Sequence, residues 1–228
     1  MRLCLICAIC TALAWAANVP ANALRNARDR QDLAALDHLI AQAARGNISS
    51  SAAQYRIALA NSYAAEVAME LHQKKKAESY AEAGIGAAQK AATQDDSNAE
   101  YHRLLGQLCG QAIPASPIWG TLKYGQCASG EIKKAIALNG RYALAYVTEG
   151  VGNYYLPQAM GGGAGLALKD FDKAIALNPR LAEAYLWKGL ALKKQNRNRE
   201  ARAALERALQ LDPKRLWTKQ ELDKTPQR

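Results

Sequence analysis

Apolar residues along this chain recur at intervals of three and four rather than two. Leu33, Leu36, Leu39 and Ile40 fall on one face of a helix, so residues 24–50 are read as a single amphipathic capping helix, running from Leu24 to about Gly46, and its exit. Runs of alternating Val, Ile and Thr are almost absent, and the strand signal is negligible. Alanine is abundant and aromatic residues make up only 7% of the chain. Helices packed closely through small side chains suit that composition. Toward the end, Leu216 and Trp217 mark a short closing helix from Pro213 to about Leu222, and "DKTPQR" frays after it. The expected class is all-α.

The first 23 residues break the pattern. Arg2 precedes an apolar run from Leu3 to Ala17, and Ala21-Asn22-Ala23 places small residues where a signal peptidase needs them. The apolar run is shorter than the roughly 20 residues of a spanning helix. Residues 1–23 are therefore read as a secretory signal peptide cut near Ala23, which sends the protein to the periplasm or outside the cell with no stable membrane span. Cys4, Cys7 and Cys10 have cluster-like spacing, but they lie within the apolar run, so no metal is expected there. Lipid attachment would want a small residue before the cysteine, where Leu3, Ile6 and Ile9 stand. Two cysteines remain, Cys109 and Cys127. In an oxidising compartment an even pair reads as a disulfide, with two buried free thiols as the alternative.

The spacing repeats along the chain. Tyr185, Gly189 and Leu192 are followed by Ala201, Leu205, Ala208 and Pro213, and Pro179 lies 34 residues before Pro213. This resembles the tetratricopeptide repeat (TPR): aromatic, small and large residues on one helix, then alanine, a bulky residue, alanine and a closing proline. Tyr146, Gly150, Ala167, Phe171, Ala174 and Pro179 form a preceding unit. His102, Leu105, Gly106, Ala128, Ile132, Ala135 and Gly140 form the one before. A weaker copy places Ile57 and Ala58 on one helix and Gly84, Ala88 and Ala91 on the next. Residues 51–213 thus hold three to four degenerate units, with residues 214–228 as the closing helix and tail. The resemblance implies an α-α superhelix, because each helix pair leaves a face that only a stacked neighbour buries.

From glycine to the following alanine the gap is 12 residues at Gly189, 17 at Gly150 and 22 at Gly106. The helix-to-helix turn is expected to lengthen by those increments. In the longest gap, Ser116 is positioned to cap a helix beginning at Pro117. In the middle one, "LPQAMGGGAG" follows a helix and lacks the glycine-lysine-serine/threonine pattern of a phosphate-binding loop. It is read as a joint, with Pro157 ending one helix and the glycines supplying permissive dihedrals. His38, His72 and His102 fall on separate helices without metal-binding spacing, and no nucleophile has a base beside it. The chain reads as a non-enzyme with no cofactor.

The net charge is +10, concentrated late: residues 180–228 carry 13 basic against 6 acidic side chains, and residues 24–179 carry 16 against 14. Outside the cytoplasm this excludes nucleic acid as the natural partner. Lys193, Lys194, Arg197, Arg199 and Arg202 form a basic strip, read either as a solvated face or as an anchor for acidic partners or anionic lipid. In a TPR superhelix the first helix of each pair lines the concave face. There Leu144, Val147, Val151, Tyr154 and Tyr155 continue into Leu186, Leu190 and Lys193, an apolar stripe suited to a partner helix, an extended peptide or an apolar small ligand. A closing helix, a second copy in a homo-oligomer or the twist of the repeats would also cover it. The stretched turns are similar to those of secreted bacterial TPR proteins such as the T component of tripartite (TRAP) periplasmic transporters. The expected function is a protein-protein interaction scaffold in the bacterial cell envelope, or alternatively an apolar-ligand-binding auxiliary of a transporter.

Overall fold

The structure, a computed structural model, describes residues 19–45, 48–114 and 116–227. The apolar leader and its three cysteines lie outside the described residues. Eleven α-helices follow in order among those described: α1 (Ala21–Asp29), α2 (Leu33–Ala44), α3 (Ser51–Glu70), α4 (Lys74–Gln94), α5 (Ala99–Gln111), α6 (Pro117–Leu138), α7 (Ala143–Tyr155), α8 (Ala164–Leu177), α9 (Ala182–Lys194), α10 (Asn198–Leu211) and α11 (Leu216–Asp223). No strand occurs among the described residues. Helices α3 to α10 pair as four antiparallel hairpins of tetratricopeptide type. Successive first helices α3, α5, α7 and α9 also touch one another, so they make the inner layer of the array.

The amino-terminal segment departs from the single helix expected over 24–46. Two helices form, α1 and α2, because the chain turns between Asp29 and Leu33. Gln31 takes a left-handed φ of 56°, and the Asp32 carboxylate accepts from the Ala35 amide at 2.9 Å, starting a new helix. Ser50 and Asn98 cap α3 and α5 in the same way, accepting from the Ala53 and Glu100 amides.

Small residues set the hairpin spacing, as the repeat pattern implied. A Cβ on Gly150 would stand 2.5 Å from the buried Phe171 ring, and one on Gly189 would stand 2.6 Å from Leu205. In the first hairpin the pairing is inverted. Buried Asn61 occupies the inner helix, donating to the Ile57 carbonyl, and the missing side chain is across from it, where a Cβ on Gly84 would meet the Asn61 Cβ at 2.9 Å.

The 22-residue gap is not a longer loop. Helices α5 and α9 are both 13 residues, whereas α6 has 22 residues against 14 in α10. Most of the insertion therefore lengthens α6 at its start. Pro117 opens that helix as expected, and Ser116 precedes it without a side-chain cap. The five-residue expansion does lie in a turn: after Tyr155 a 3-10 turn (Gln158–Met160) leads into Gly161 at φ 84° and Gly163 at φ 104°. The joint reading of that stretch fits its geometry.

Candidate binding face

The inner layer carries charge where the sequence pattern pointed to apolar residues. Arg103, 3% exposed, lies between α5 and its neighbours. Its guanidinium pairs with Glu100, donating from Nη2 at 2.8 Å, and it also donates to Gln107 and to Thr148. The hydroxyls of Tyr55 and Tyr142 donate to the same Glu100 carboxylate from the flanking hairpins. Burial by itself would raise Glu100, but Arg103 and the two hydroxyls outweigh it and hold its pKa below the usual carboxylate value.

A second network joins the two ends of the chain. Arg215, 2% exposed at the entry to α11, donates to Glu66 at 2.7 Å, to Glu70, and to the Arg28 carbonyl at 3.2 Å. Arg28 on α1 pairs with Asp29 at 2.8 Å and lies 3.6 Å from Glu183 and 3.8 Å from Asp212. Its guanidinium also stacks 5.0 Å from the Tyr63 ring centre. Gln31 and Gln220 exchange hydrogen bonds at 3.0 and 3.2 Å. Helices α1 and α11 therefore meet across the inner layer, and the array is closed by its own ends. Carboxylates outnumber guanidinium groups in this network. Burial, followed by the Glu183 charge, pushes the Glu66 pKa up to about 7 against the opposing pull of Arg215 and Arg28. Burial also raises Glu70.

The expected apolar stripe is brought together, but as core rather than as an open groove. Val147, Leu186 and Leu190 are 2%, 1% and 7% exposed, and Leu144, Val151 and Tyr154 pack against them. The closing helix supplies Trp217 and Leu222 to this cluster. The reason is local: α11 needs a partner for its own apolar face and the last hairpin presents this one. Lys193 is tied to Glu221 of α11 at 2.9 Å. Tyr155 alone of the eight stripe residues stays open, 51% exposed. Its ring meets Trp187 edge-on at 6.1 Å and Tyr154 at 5.1 Å, and Trp187 meets Trp217 at 5.3 Å. Burial, the neighbouring Tyr154 and the carboxylates Glu70, Glu66 and Glu221 raise the Tyr155 hydroxyl pKa.

The basic strip is divided among structural contacts. Lys194 sits 4.5 Å from the Tyr154 ring and donates to the Tyr154 carbonyl at 2.7 Å. Arg197 pairs with Glu200, and Arg202 donates to the Leu222 and Thr225 carbonyls. Arg199 is exposed. Cys109 and Cys127 are joined by a disulfide, with Cα atoms 6.0 Å apart, clamping α6 to the end of α5. Buried His102 is satisfied by Glu131 at 2.6 Å and the Asp96 carbonyl at 3.0 Å.

What the sequence pattern missed is this pair of charge networks. Arg28, Arg103 and Arg215 look like any surface arginine in a basic chain. The usable signal was position: Glu66 and Glu70 lie four residues apart on a helix otherwise lined with buried alanines.

A tetratricopeptide repeat profile matches residues 182–215, which covers α9, α10 and the turn into α11. Among solved structures, a thermophilic TPR protein of Thermus thermophilus shares the fold with a TM-score of 0.59 at 18% identity, covering 89% of this chain and 96% of that one. The TPR protein YrrB, described as having an unusual peptide-binding site, aligns with a TM-score of 0.41 at 18% identity over 93% and 96% of the two chains. MamA aligns with a TM-score of 0.42 at 22% identity over 79% and 91%. No curated protein sequence matches the chain. A second family profile spans residues 21–158, from α1 to the joint after α7 and more than half of the chain, so the protein belongs to the family described as regulator of microtubule dynamics protein 1-3.

Proposed function

We propose that this protein is a non-catalytic scaffold that binds a polypeptide partner at the inner mouth of its TPR array, in the bacterial cell envelope after export. The observation carrying this reading is Tyr155, half exposed at the end of an edge-to-face stack with Tyr154, Trp187 and Trp217, beside the charged network. A rigid aromatic with a polar tip, held by its neighbours, is the kind of residue that dominates protein interfaces. A role exerted through binding is in keeping with the family's description as regulators.

Export rests on the leader and on the Cys109–Cys127 disulfide, which suits an oxidising compartment. We place the cleavage upstream of Ala23. Val19 is 2% exposed and belongs to the core formed by α1, α2 and α3. The Pro20 carbonyl accepts from the Ala23 and Leu24 amides in the first turn of α1. Cutting after Ala23 would remove that turn, so processing upstream, at the Ala14-Trp15-Ala16 pattern of small residues, preserves the fold.

Native mass spectrometry of protein purified from a periplasmic extract distinguishes this reading from the transporter auxiliary. A stoichiometric polypeptide lost on Tyr155→Asp supports the scaffold. A retained small apolar ligand with no polypeptide supports the auxiliary instead.

A further inference from the structure

Helices α4 and α6 both begin about two turns earlier than their counterparts. Counted back from Ala201 and Ala167, helices α10 and α8 start three residues upstream, at Asn198 and Ala164. Counted back from the equivalent Gly84 and Ala128, α4 starts ten residues upstream, at Lys74, and α6 eleven, at Pro117. The far ends are in register, since each second helix stops ten residues past that reference position. Both additions therefore project at the same edge of the array, by roughly 10 Å at 1.5 Å per residue.

The two extensions are held side by side. Lys123 meets Glu82 at 3.0 Å and the Tyr124 hydroxyl donates to the same carboxylate. At the other end Lys134 meets Asp96, just past α4, so the helices run parallel. Their first turns thus lie within about a turn of each other along the shared direction. The disulfide fixes the base of the α6 extension, and Gly120 lies against the Ile113 backbone, where a Cβ would be 2.8 Å from it.

The outward face of the α6 extension is apolar: Ile118, Trp119 and Leu122 are 83%, 73% and 77% exposed. At the level beside it, α4 opens with Lys74, Lys75 and Lys76, all exposed and without a carboxylate partner among the described residues. Three lysines at a helix amino terminus oppose the macrodipole, so they do not serve helix stability. An apolar knob carrying a tryptophan, beside uncompensated lysines, is the chemistry of an anionic bilayer surface: the ring and aliphatic chains enter the interface and the ammonium groups meet phosphates.

We propose that the projecting first turns of α4 and α6 dock the protein on an anionic phospholipid membrane, with Ile118, Trp119 and Leu122 inserted and Lys74, Lys75 and Lys76 against the headgroups. The test measures quenching of tryptophan fluorescence in the full chain by vesicles of brominated phosphatidylglycerol and phosphatidylcholine. The component lost on Trp119→Phe isolates residue 119 from Trp15, Trp187 and Trp217. That component should be present in the parent, fall at least tenfold in Ile118→Ser/Leu122→Ser, and need at least tenfold more anionic vesicles in Lys74→Gln/Lys75→Gln/Lys76→Gln. Circular dichroism checks that each variant remains folded. Equal quenching of the parent and Trp119→Phe overturns the insertion, and an unchanged vesicle requirement in the lysine variant overturns the headgroup contact. A photo-crosslink from position 118 to a polypeptide instead of lipid would identify this edge as a protein interface and overturn the proposal.

Discussion

Arg215 and Glu66 are 149 residues apart in sequence, yet the Arg215 Nη2 is 2.7 Å from a Glu66 oxygen. This contact, with Glu70 and the Arg28 carbonyl beside it, closes the array on itself. Breaking such a buried pair strands its partners: Arg215→Ala leaves Glu66 and Glu70 buried without their cation, which should cost about 3 kcal/mol or more. Urea unfolding measures it. A loss below about 1 kcal/mol would mean that the two ends are not joined in solution.

The same network gives the protein an inverted pH dependence in one interval. Glu66 has a folded-state pKa raised to about 7, above the ordinary carboxylate value of the unfolded chain. The folded state thus holds a proton that the unfolded state releases. Stability from this group is full below the unfolded pKa and is lost as pH rises through about 7. The parent should lose stability relative to Glu66→Gln between pH 5.5 and pH 8.5, measured as the difference in unfolding midpoints. A gap that does not change with pH would show that Glu66 is ionised throughout.

Two glycines on one helix should respond oppositely. Gly150→Ala places a methyl into the Phe171 ring, which is fully buried and cannot retreat, and should destabilise by about 1–3 kcal/mol. Gly152→Ala meets nothing within 4 Å and should be neutral or stabilising by up to about 1 kcal/mol through helix propensity. Thermal melts of the two variants decide. Equal effects would contradict the hairpin packing.

These contrasts show how far the amino-acid pattern reached. Gly150, Phe171, Gly189 and Leu205 were legible because close helix approach demands one small and one bulky residue at fixed spacing. Gly84 was legible, but not its partner Asn61, since the small residue had moved to the opposite helix. The break at Gln31 was hidden because residues 24–32 hold no glycine or proline to mark a helix stop. The stripe from Leu144 to Leu190 was found, but whether an apolar face is groove or core depends on what covers it, and α11 covers this one. Arg28 and Arg215 were not legible, because pairing across more than a hundred residues leaves no local periodicity, and Arg103 was not, because its pairing with Glu100 three residues away looks like that of any exposed helix.

Processing offers a direct check on the amino terminus. If the leader is removed on export, the mature chain should begin at or before Val19, with Ala17 as the expected first residue. Amino-terminal sequencing of the periplasmic form reads it. A chain beginning at Leu24 would show that the first turn of α1 and the buried Val19 are dispensable.

The central claim is that Tyr155 marks a mouth where a polypeptide binds. A photo-crosslinking phenylalanine analogue at position 155, compared in cells with the same group at exposed Lys90 on α4, tests it most directly. The account predicts a discrete polypeptide adduct from position 155 and none of that mass from position 90. The same adducts from both positions, or no polypeptide adduct from 155, would contradict it.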